Sequence, residues 1–417
     1  MIFLLKQYIL IVSIKFPFVK RDEPVFLPDY VKNILDTLAR GGFDAYAVGG
    51  CVRDALLGKT PDDYDVATGG LPEETKKCFE NFRVIETGIK HGTVTVLSEG
   101  HPVEVTTFRC DGEYKDNRHP ESVAFTRTLN DDLSRRDFTV NAMAYSPAEG
   151  LVDLFGGKED LAAGVIRCVG EPEQRFREDA LRIMRCIRFA SVLGFTVEKA
   201  TAEAASALAP LLRNISAERI FTELKKLLRG QSAAETLLAC RGILTEVFPG
   251  LRGVSNEAYA FAAERLSLLE ETELKVTLFL SPLGSDGAKE ALACLKCDNK
   301  QRKTTEFILN NLTKEFSAPG EVKRFAGEHG IERVKQLAQF RRATGKTDDT
   351  VLLSGIKSAE APDACLKITD LAVNGADLAK LGKKGREIGD ALQALLEAVT
   401  DGKVMNDKSC LMSYISG

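Results

Sequence analysis

The sequence predicts an α+β protein: a head with a mixed sheet, followed by an all-helical neck, body and tail. Three observations carry this. Alternating, β-branched strand patterns fall within about the first 150 of 417 residues. Helical patterns dominate from about residue 171 onward, with no clear strand after 170. A protein built on a parallel sheet would keep alternating strand and helix instead. The length supports several domains. The expected boundaries are 24–150 for the head, 151–230 for the neck, 231–315 for the body and 316–417 for the tail.

In the head, residues 28–40 (PDYVKNILDTLAR) have helical spacing and stop at Gly41 and Gly42. DAYAVGG (44–50) reads as a strand, CVRDALLG (51–58) as a short helix, and DYDVAT (63–68) as a second strand. PEETKKCFEN (72–81) is a helix with acidic residues in its first turn. GTVTVLSEG and HPVEVTTFR (92–109) form a hairpin with Gly100 in the turn. Helical windows follow at 173–193, 198–213, 216–229 and 231–247.

Lys and Arg number 56 against 60 Asp and Glu, a net charge of −4, so any nucleic-acid surface must be a local patch. Residues 295–346 hold twelve basic and six acidic residues, a candidate phosphate-binding face. The alternative is a solvated helix surface. Ten cysteines without a dense framework read as reduced thiols of a cytoplasmic protein. Cys294 and Cys297 form one CxxC with no partner pair or nearby His, so they read as core thiols rather than a zinc site. Residues 1–23 are an unassigned, apolar leader interrupted by Lys6 and Lys15. The clean run is short of the roughly 20 residues a membrane span needs, and no membrane association is expected.

PDDYDVATG places Asp62, Asp63 and Asp65 close together. Side chains two apart on a strand share a face, so Asp63 and Asp65 point one way and Asp62 the other. Two carboxylates on one face repel unless a cation lies between them. Mg²⁺ takes carboxylate oxygens and completes its shell with water and substrate phosphates, as metal-dependent phosphoryl or nucleotidyl transfer requires. The alternative is an Asp-rich turn before a strand. Upstream, Gly49 and Gly50 end a strand and open a helix, where backbone amides can approach a phosphate. Arg53, one turn on, can fork onto phosphate oxygens. An ordinary tight turn is the alternative. Glu104 in VEVTTF is a candidate third carboxylate, or simply an exposed hairpin residue. In RRDFTVNAMA (135–144), Asp137 and Asn141 would share a helix face and suit ribose hydroxyls, with Arg136 on phosphate. A capping region with a solvated arginine pair is the alternative there.

The ordered motifs GGCVRDALLG…DDYDVAT, TGIKHGTVTV, VEVTTFRCDGEYKDNRHP, RRDFTVNAMAY and GEPEQRFREDALRIMRCIRFASVLGF resemble the class II CCA-adding enzymes. These are tRNA nucleotidyltransferases of the DNA polymerase beta superfamily. The resemblance covers residues 40 to about 230 in detail. It implies a polymerase-beta-like head and addition of CCA to tRNA 3′ ends from CTP and ATP with Mg²⁺. It makes Asp63 and Asp65 the metal ligands, with Glu104 as a third carboxylate. Gly50, Arg53 and Arg136 become nucleotide-phosphate contacts. The oligomeric state stays unassigned.

The neck stretch REDALRIMRCIRF has an apolar stripe from Phe176 through Ala180, Ile183, Ile187 and Ala190, and reads as an amphipathic helix. Asp179, Arg182, Arg185 and Arg188 step by three, which rotates the row away from Asp179 until Arg188 lies on the far side. Cytosine and adenine both present an exocyclic amine beside a ring-nitrogen acceptor. An ionised Asp only accepts and an Arg only donates, so Asp179 with Arg182 suits that edge and opposes uracil and guanine. The family resemblance gives these two residues the templating role. A salt-bridged helix surface is the alternative. The polar stretch 110–120, with Asp111, Glu113, Asp116 and Arg118, reads as a flexible loop that the resemblance ties to switching from C to A. The rival readings are A-only addition, a poly(A) polymerase and a non-catalytic RNA-binding relative. The TGIKHGTVTV stretch and the lack of a long basic C-terminal tail disfavour the poly(A) polymerase.

Overall fold

The computed structural model describes residues 25–111, 123–346 and 348–416. The leader 1–23 lies outside these, as do residues 112–120 of the polar loop with Glu113, Asp116 and Arg118. The chain forms two compact units, one ending at Arg252 and one beginning at Gly253.

The first unit opens with helix α1 (Asp29–Arg40), whose Val31, Ile34, Leu35 and Leu38 are buried at helical spacing. Strand β1 (Ala45–Val48) leads through Gly49 into α2 (Gly50–Leu56). Then come β2 (Asp65–Thr68), α3 (Pro72–Cys78), β3 (Arg83–Ile85), β4 (Thr93–Ser98) and β5 (His101–Thr107). Gly100 turns the β4–β5 hairpin at φ +83°, as its position in the sequence predicts. A small ribbon pairs β6 (Arg109–Asp111) with β7 (Val123–Phe125). Helix α4 (Leu129–Ser134), β8 (Met143–Ser146) and β9 (Gly150–Asp153) complete the head.

The main sheet has the order β3-β4-β5-β2-β1-β8-β9. Only β2 and β5 run parallel; the other pairs are antiparallel, so the sheet is mixed. One face carries Tyr46, Val48, Ala67, Phe108 and Ala144 against Leu133 of α4. Register puts Asp65 beside Val48 on β1 and beside Glu104 on β5. Asp65, at the start of β2, and Glu104, midway along β5, therefore stand on the same face as these apolar side chains.

After the head, α5 (Gly157–Ala163) and β10 (Val165–Ile166) precede α6 (Pro172–Glu178) and α7 (Leu181–Leu193). A two-residue strand β11 (Thr196–Val197) pairs in parallel with β10, a small exception to the helical neck expected after residue 170. Helices α8 (Lys199–Leu208) and α9 (Ala217–Leu228) follow. Ser191 Oγ donates to Leu227 O at 2.7 Å and ties α7 to α9.

The continuous helix expected over 173–193 is broken at Asp179, whose backbone is extended at φ −137°, ψ 103°. The reason is local. Asp179 Oδ1 accepts from the amide of Leu181 at 3.0 Å, a side-chain bond that competes with helix continuation and starts α7 afresh. The stretch 135–144 is likewise not a continuous helix: one 3₁₀ turn spans Thr139–Asn141.

The second unit is helical from Asn256 to Ser416 among the described residues. Part of its core gathers Leu371, Val373, Leu378, Leu395, Leu396 and Leu411. The basic excess of 295–346 is offset here by acids from elsewhere in the sequence. Lys300 pairs with Glu273, Arg324 with Asp401, Lys335 with Glu360 and Arg341 with Asp349. Lys314 and Lys346 pair within the segment, with Glu321 and Glu315. Arg341 is 1% exposed and donates to the carbonyls of Asn311 and Lys314, so it is a core residue rather than part of a phosphate-binding face.

Candidate active site

A cleft of about 630 Å³ in the first unit is walled by β1, β2, β5, the 135–141 segment and the neck helices α7 and α9. Every candidate site residue from the sequence lines it, from Gly49 to Arg188. Asp62 does not. A larger hollow of about 1350 Å³ shares only Arg135 with the cleft and holds none of those candidates.

Asp63 and Asp65 are exposed while Tyr64 and Val66 between and after them are buried, as strand alternation requires. Asp63 precedes the strand proper, but the alternation already holds there. Asp65 is exposed by residue area yet lines the cleft. Burial, with Asp63 and Glu104 nearby, pushes its pKa up to about 6, against the opposing pull of Arg136. A carboxylate raised by burial and by acidic neighbours in this way is short of a cation. Its hard oxygens fit a divalent ion. Among the described residues no group of three His, Cys, Asp or Glu closes around one point.

Gly49 adopts φ +75°, and a Cβ there would stand 2.8 Å from Arg136 Nη1. The dihedral demands glycine, and the tip of the flexible Arg136 side chain would have to shift for a Cβ. Arg53 is held by a fork to Asp54 at 2.9 and 2.8 Å and by Nη1 donating to Asn141 Oδ1 at 2.6 Å. Asn141 Nδ2 donates in turn to Asp137 Oδ1 at 3.1 Å, and Arg185 Nε donates to Asp137 Oδ2 at 2.7 Å. Burial alone would raise the Asp137 pKa, but Arg185 and Asn141 outweigh it and hold it at about 2. Asp137 and Asn141 do meet, as their spacing suggests. They are 7% and 6% exposed, engaged with arginines, and line the cleft.

Arg182 is buried. It donates to Glu178 Oε2 at 2.7 Å and to the carbonyls of Arg175 and Arg135 at 3.2 and 2.8 Å. Asp179 instead pairs with Arg219 of α9 at 2.8 Å. Arg188 faces Glu223 at 2.6 Å without hydrogen-bond alignment and stacks 3.7 Å from the ring centre of Phe189. Burial pushes its pKa down to about 10. Arg53 and Arg185 also lie within 5.4 Å of that ring, so three guanidiniums surround one aromatic side chain.

Sequence reasoning missed Asp132, a 1% exposed carboxylate on α4. It accepts from Arg135 at 2.6 Å and from Arg136 at 3.0 Å. The spacing of three and four residues was a usable signal. Arg219 and Glu223 had none, because helix packing brings them to the neck.

The head matches the family model described as the poly A polymerase head domain over residues 45–167. Residues 194–253 match the model of the probable RNA and SrmB-binding site of polymerase A. Residues 268–415 match that of tRNA nucleotidyltransferase domain 2. The chain is 39% identical over 385 residues to the CCA-adding enzyme of Geobacillus stearothermophilus, covering 92% of this chain and 95% of that one. It is 37% identical over 400 residues to the CCA-adding enzyme of Lactiplantibacillus plantarum, covering 92% and 94%. It superposes with a TM-score of 0.78 and 35% identity on the crystal structure of Bacillus stearothermophilus CCA-adding enzyme in complex with CTP, covering 94% of this chain and 98% of that one.

Proposed function

The chain belongs to the CCA-adding enzymes, and from that premise we propose how its residues add C, C and A to the 3′ end of tRNA. The overall reaction joins the tRNA 3′-hydroxyl oxygen to the α-phosphorus of CTP or ATP and releases pyrophosphate. Asp63 and Asp65 would hold Mg²⁺, and Glu104, beside Asp65 in register, adds to the same negative wall. The bound ion would supply charge neutralisation on the triphosphate and favour ionisation of the attacking hydroxyl.

Arg136 and Arg53 hold the phosphates, positioned by Asp132 and by Asn141 respectively. Gly49 lets Arg136 lie against the turn. Asp179 accepts from the exocyclic amine of cytosine or adenine, and Arg182 donates to the adjacent ring nitrogen. Uracil and guanine would set a carbonyl against the carboxylate and leave buried groups unpaired. Arg185 and Arg188, packed on Phe189, form the floor of the base site. The head, neck, body and tail at 24–150, 151–230, 231–315 and 316–417 are part of this reading, with tRNA held by the tail. No described helix is long and apolar enough to cross a membrane. Ten free cysteines support a cytoplasmic location.

The carrying observation is that the carboxylates and the Asp179–Arg182 segment, over a hundred residues apart, line one cleft. The test offers each NTP with Mg²⁺ to tRNAs ending at position 73, C74 or C75. The expected products are C on the first two and A on the third, with no further extension. A ladder of A residues would point to a poly(A) polymerase. A product only from the C75 substrate would point to A-only addition.

A further inference from the structure

We propose that the hydroxyl pair of Thr93 and Thr106 binds the 2′-hydroxyl of the terminal ribose on the tRNA that receives the nucleotide; this rests on the metal and phosphate placement given above. Strand register builds the pair. Thr93 on β4 stands opposite Thr106 on β5, and their Oγ1 atoms lie 2.9 Å apart. Thr106 is two residues from Glu104, so it shares the face on which Glu104 stands beside Asp65. Thr93, Glu104 and Thr106 all line the cleft. Both threonines are half-buried, while their neighbours Val94 and Val105 point to the other side of the sheet and are buried.

The sheet order decides what meets this pair. Strand β2, with Asp65, runs between β1 on one side and β5 then β4 on the other. Gly49, Gly50 and Arg53 follow β1, and Arg136 precedes β8, the next strand beyond β1. The groups that hold the triphosphate are thus all on the β1 side of Asp65. Phosphoryl transfer sets the attacking and leaving oxygens roughly in line across the phosphorus. Pyrophosphate leaves toward the β1 side, so the attacking 3′-hydroxyl comes from the β5–β4 side, over Glu104, Thr106 and Thr93. The carbon next to that hydroxyl bears the ribose 2′-hydroxyl, which both donates and accepts. A threonine pair matches it. Whichever hydroxyl donates to the other, the second hydrogen has no acceptor among the described residues. It can donate to the 2′-oxygen, and a threonine oxygen can accept from the 2′-hydroxyl in return.

The experiment measures kcat/KM for A addition from ATP and Mg²⁺ to tRNA ending at C75, with either ribose or 2′-deoxyribose at that last residue. It uses the full-length enzyme and the variants Thr93→Val, Thr106→Ser and the double variant T93V/T106V, with Tm recorded for each. In the parent enzyme the deoxy terminus is expected to lower kcat/KM about fivefold, the scale of one hydrogen bond. The double variant is expected to lose about fivefold on the ribose terminus and little on the deoxy terminus, so that its ratio approaches one. T106S keeps the hydroxyl and is expected to keep the parent ratio; a ratio lost in T106S counts against the inference. A parent ratio of one, or a parent-like ratio in the double variant, overturns it. Equal falls on both termini, the mark of a merely structural pair, overturn it too. The penalty for replacing ATP by 2′-deoxy-ATP should not change; its collapse in the double variant would give the pair to the incoming nucleotide and overturn the inference. Should the double variant not fold, T93V is read instead: a ratio narrowed by about twofold or more supports the inference, and an unchanged one overturns it. No transfer by the parent to either terminus would instead overturn the proposed function.

Discussion

Arg53 and Asn141, 88 residues apart in sequence, meet at 2.6 Å through Nη1 and Oδ1. The bond fixes a buried guanidinium whose other face is forked by Asp54. Asn141→Leu removes the acceptor and leaves Arg53 without its cross-chain anchor. The expected outcome is a rise of about tenfold in KM for both CTP and ATP, with the C-to-A preference unchanged. A stability loss of about 1–2 kcal/mol should accompany it, read by denaturant midpoint.

Gly49 and Gly50 should respond differently to alanine. Gly49 carries φ +75° and would press a Cβ to 2.8 Å from Arg136 Nη1, whereas Gly50 meets nothing nearer than Arg53 Nη2 at 3.6 Å. Gly49→Ala should cost about 1–2 kcal/mol and weaken triphosphate binding by displacing Arg136. Gly50→Ala should leave both nearly intact. Equilibrium binding of CTP and thermal unfolding separate the two.

Asp65 carries a charge that burial and its acidic neighbours make costly. Its pKa is raised to about 6, so the folded protein holds a proton that the unfolded chain has already released between about pH 4 and 6. The cost of the charge is absent below about pH 4 and complete above about pH 6. Asp65→Asn should therefore abolish nucleotide addition while slightly raising the unfolding midpoint at pH 7.5. The gain should be under about 1 kcal/mol because Asp65 is solvent-exposed. A lowered midpoint in the metal-free protein would contradict this.

Asp137 works in the opposite sense. Its folded pKa of about 2 lies below the usual carboxylate value, so its contribution is complete above about pH 4 and is lost as pH falls toward 2. Asp137→Asn should destabilise by about 2 kcal/mol at pH 7. The gap between variant and parent midpoints should narrow as the pH is lowered from 4 to 3.

Much of the site was legible because its signals are local. The alternation of Asp63, Tyr64, Asp65 and Val66 sorted the acids onto one face, and the structure keeps that arrangement. The glycine pair before Arg53 marked the turn that Arg136 closes. The break at Asp179 was hidden because helical periodicity reports which residues are apolar. It does not report whether one side chain captures the next amide. The sequence places Asp137 and Asn141 together but does not show the arginines, Arg185 and Arg53, that they engage.

By itself, the sequence determined the mixed head and helical remainder, the candidate residues and their chemistry, since strand and helix periods and turn glycines act over a few residues. Only the tertiary structure decided which carboxylate holds which arginine. Asp179 turns to Arg219, and Glu273 and Asp401 offset distant lysines and arginines. A charge pairs with whatever packing brings within about 3 Å, and that depends on how helices stack, not on where residues stand in the chain.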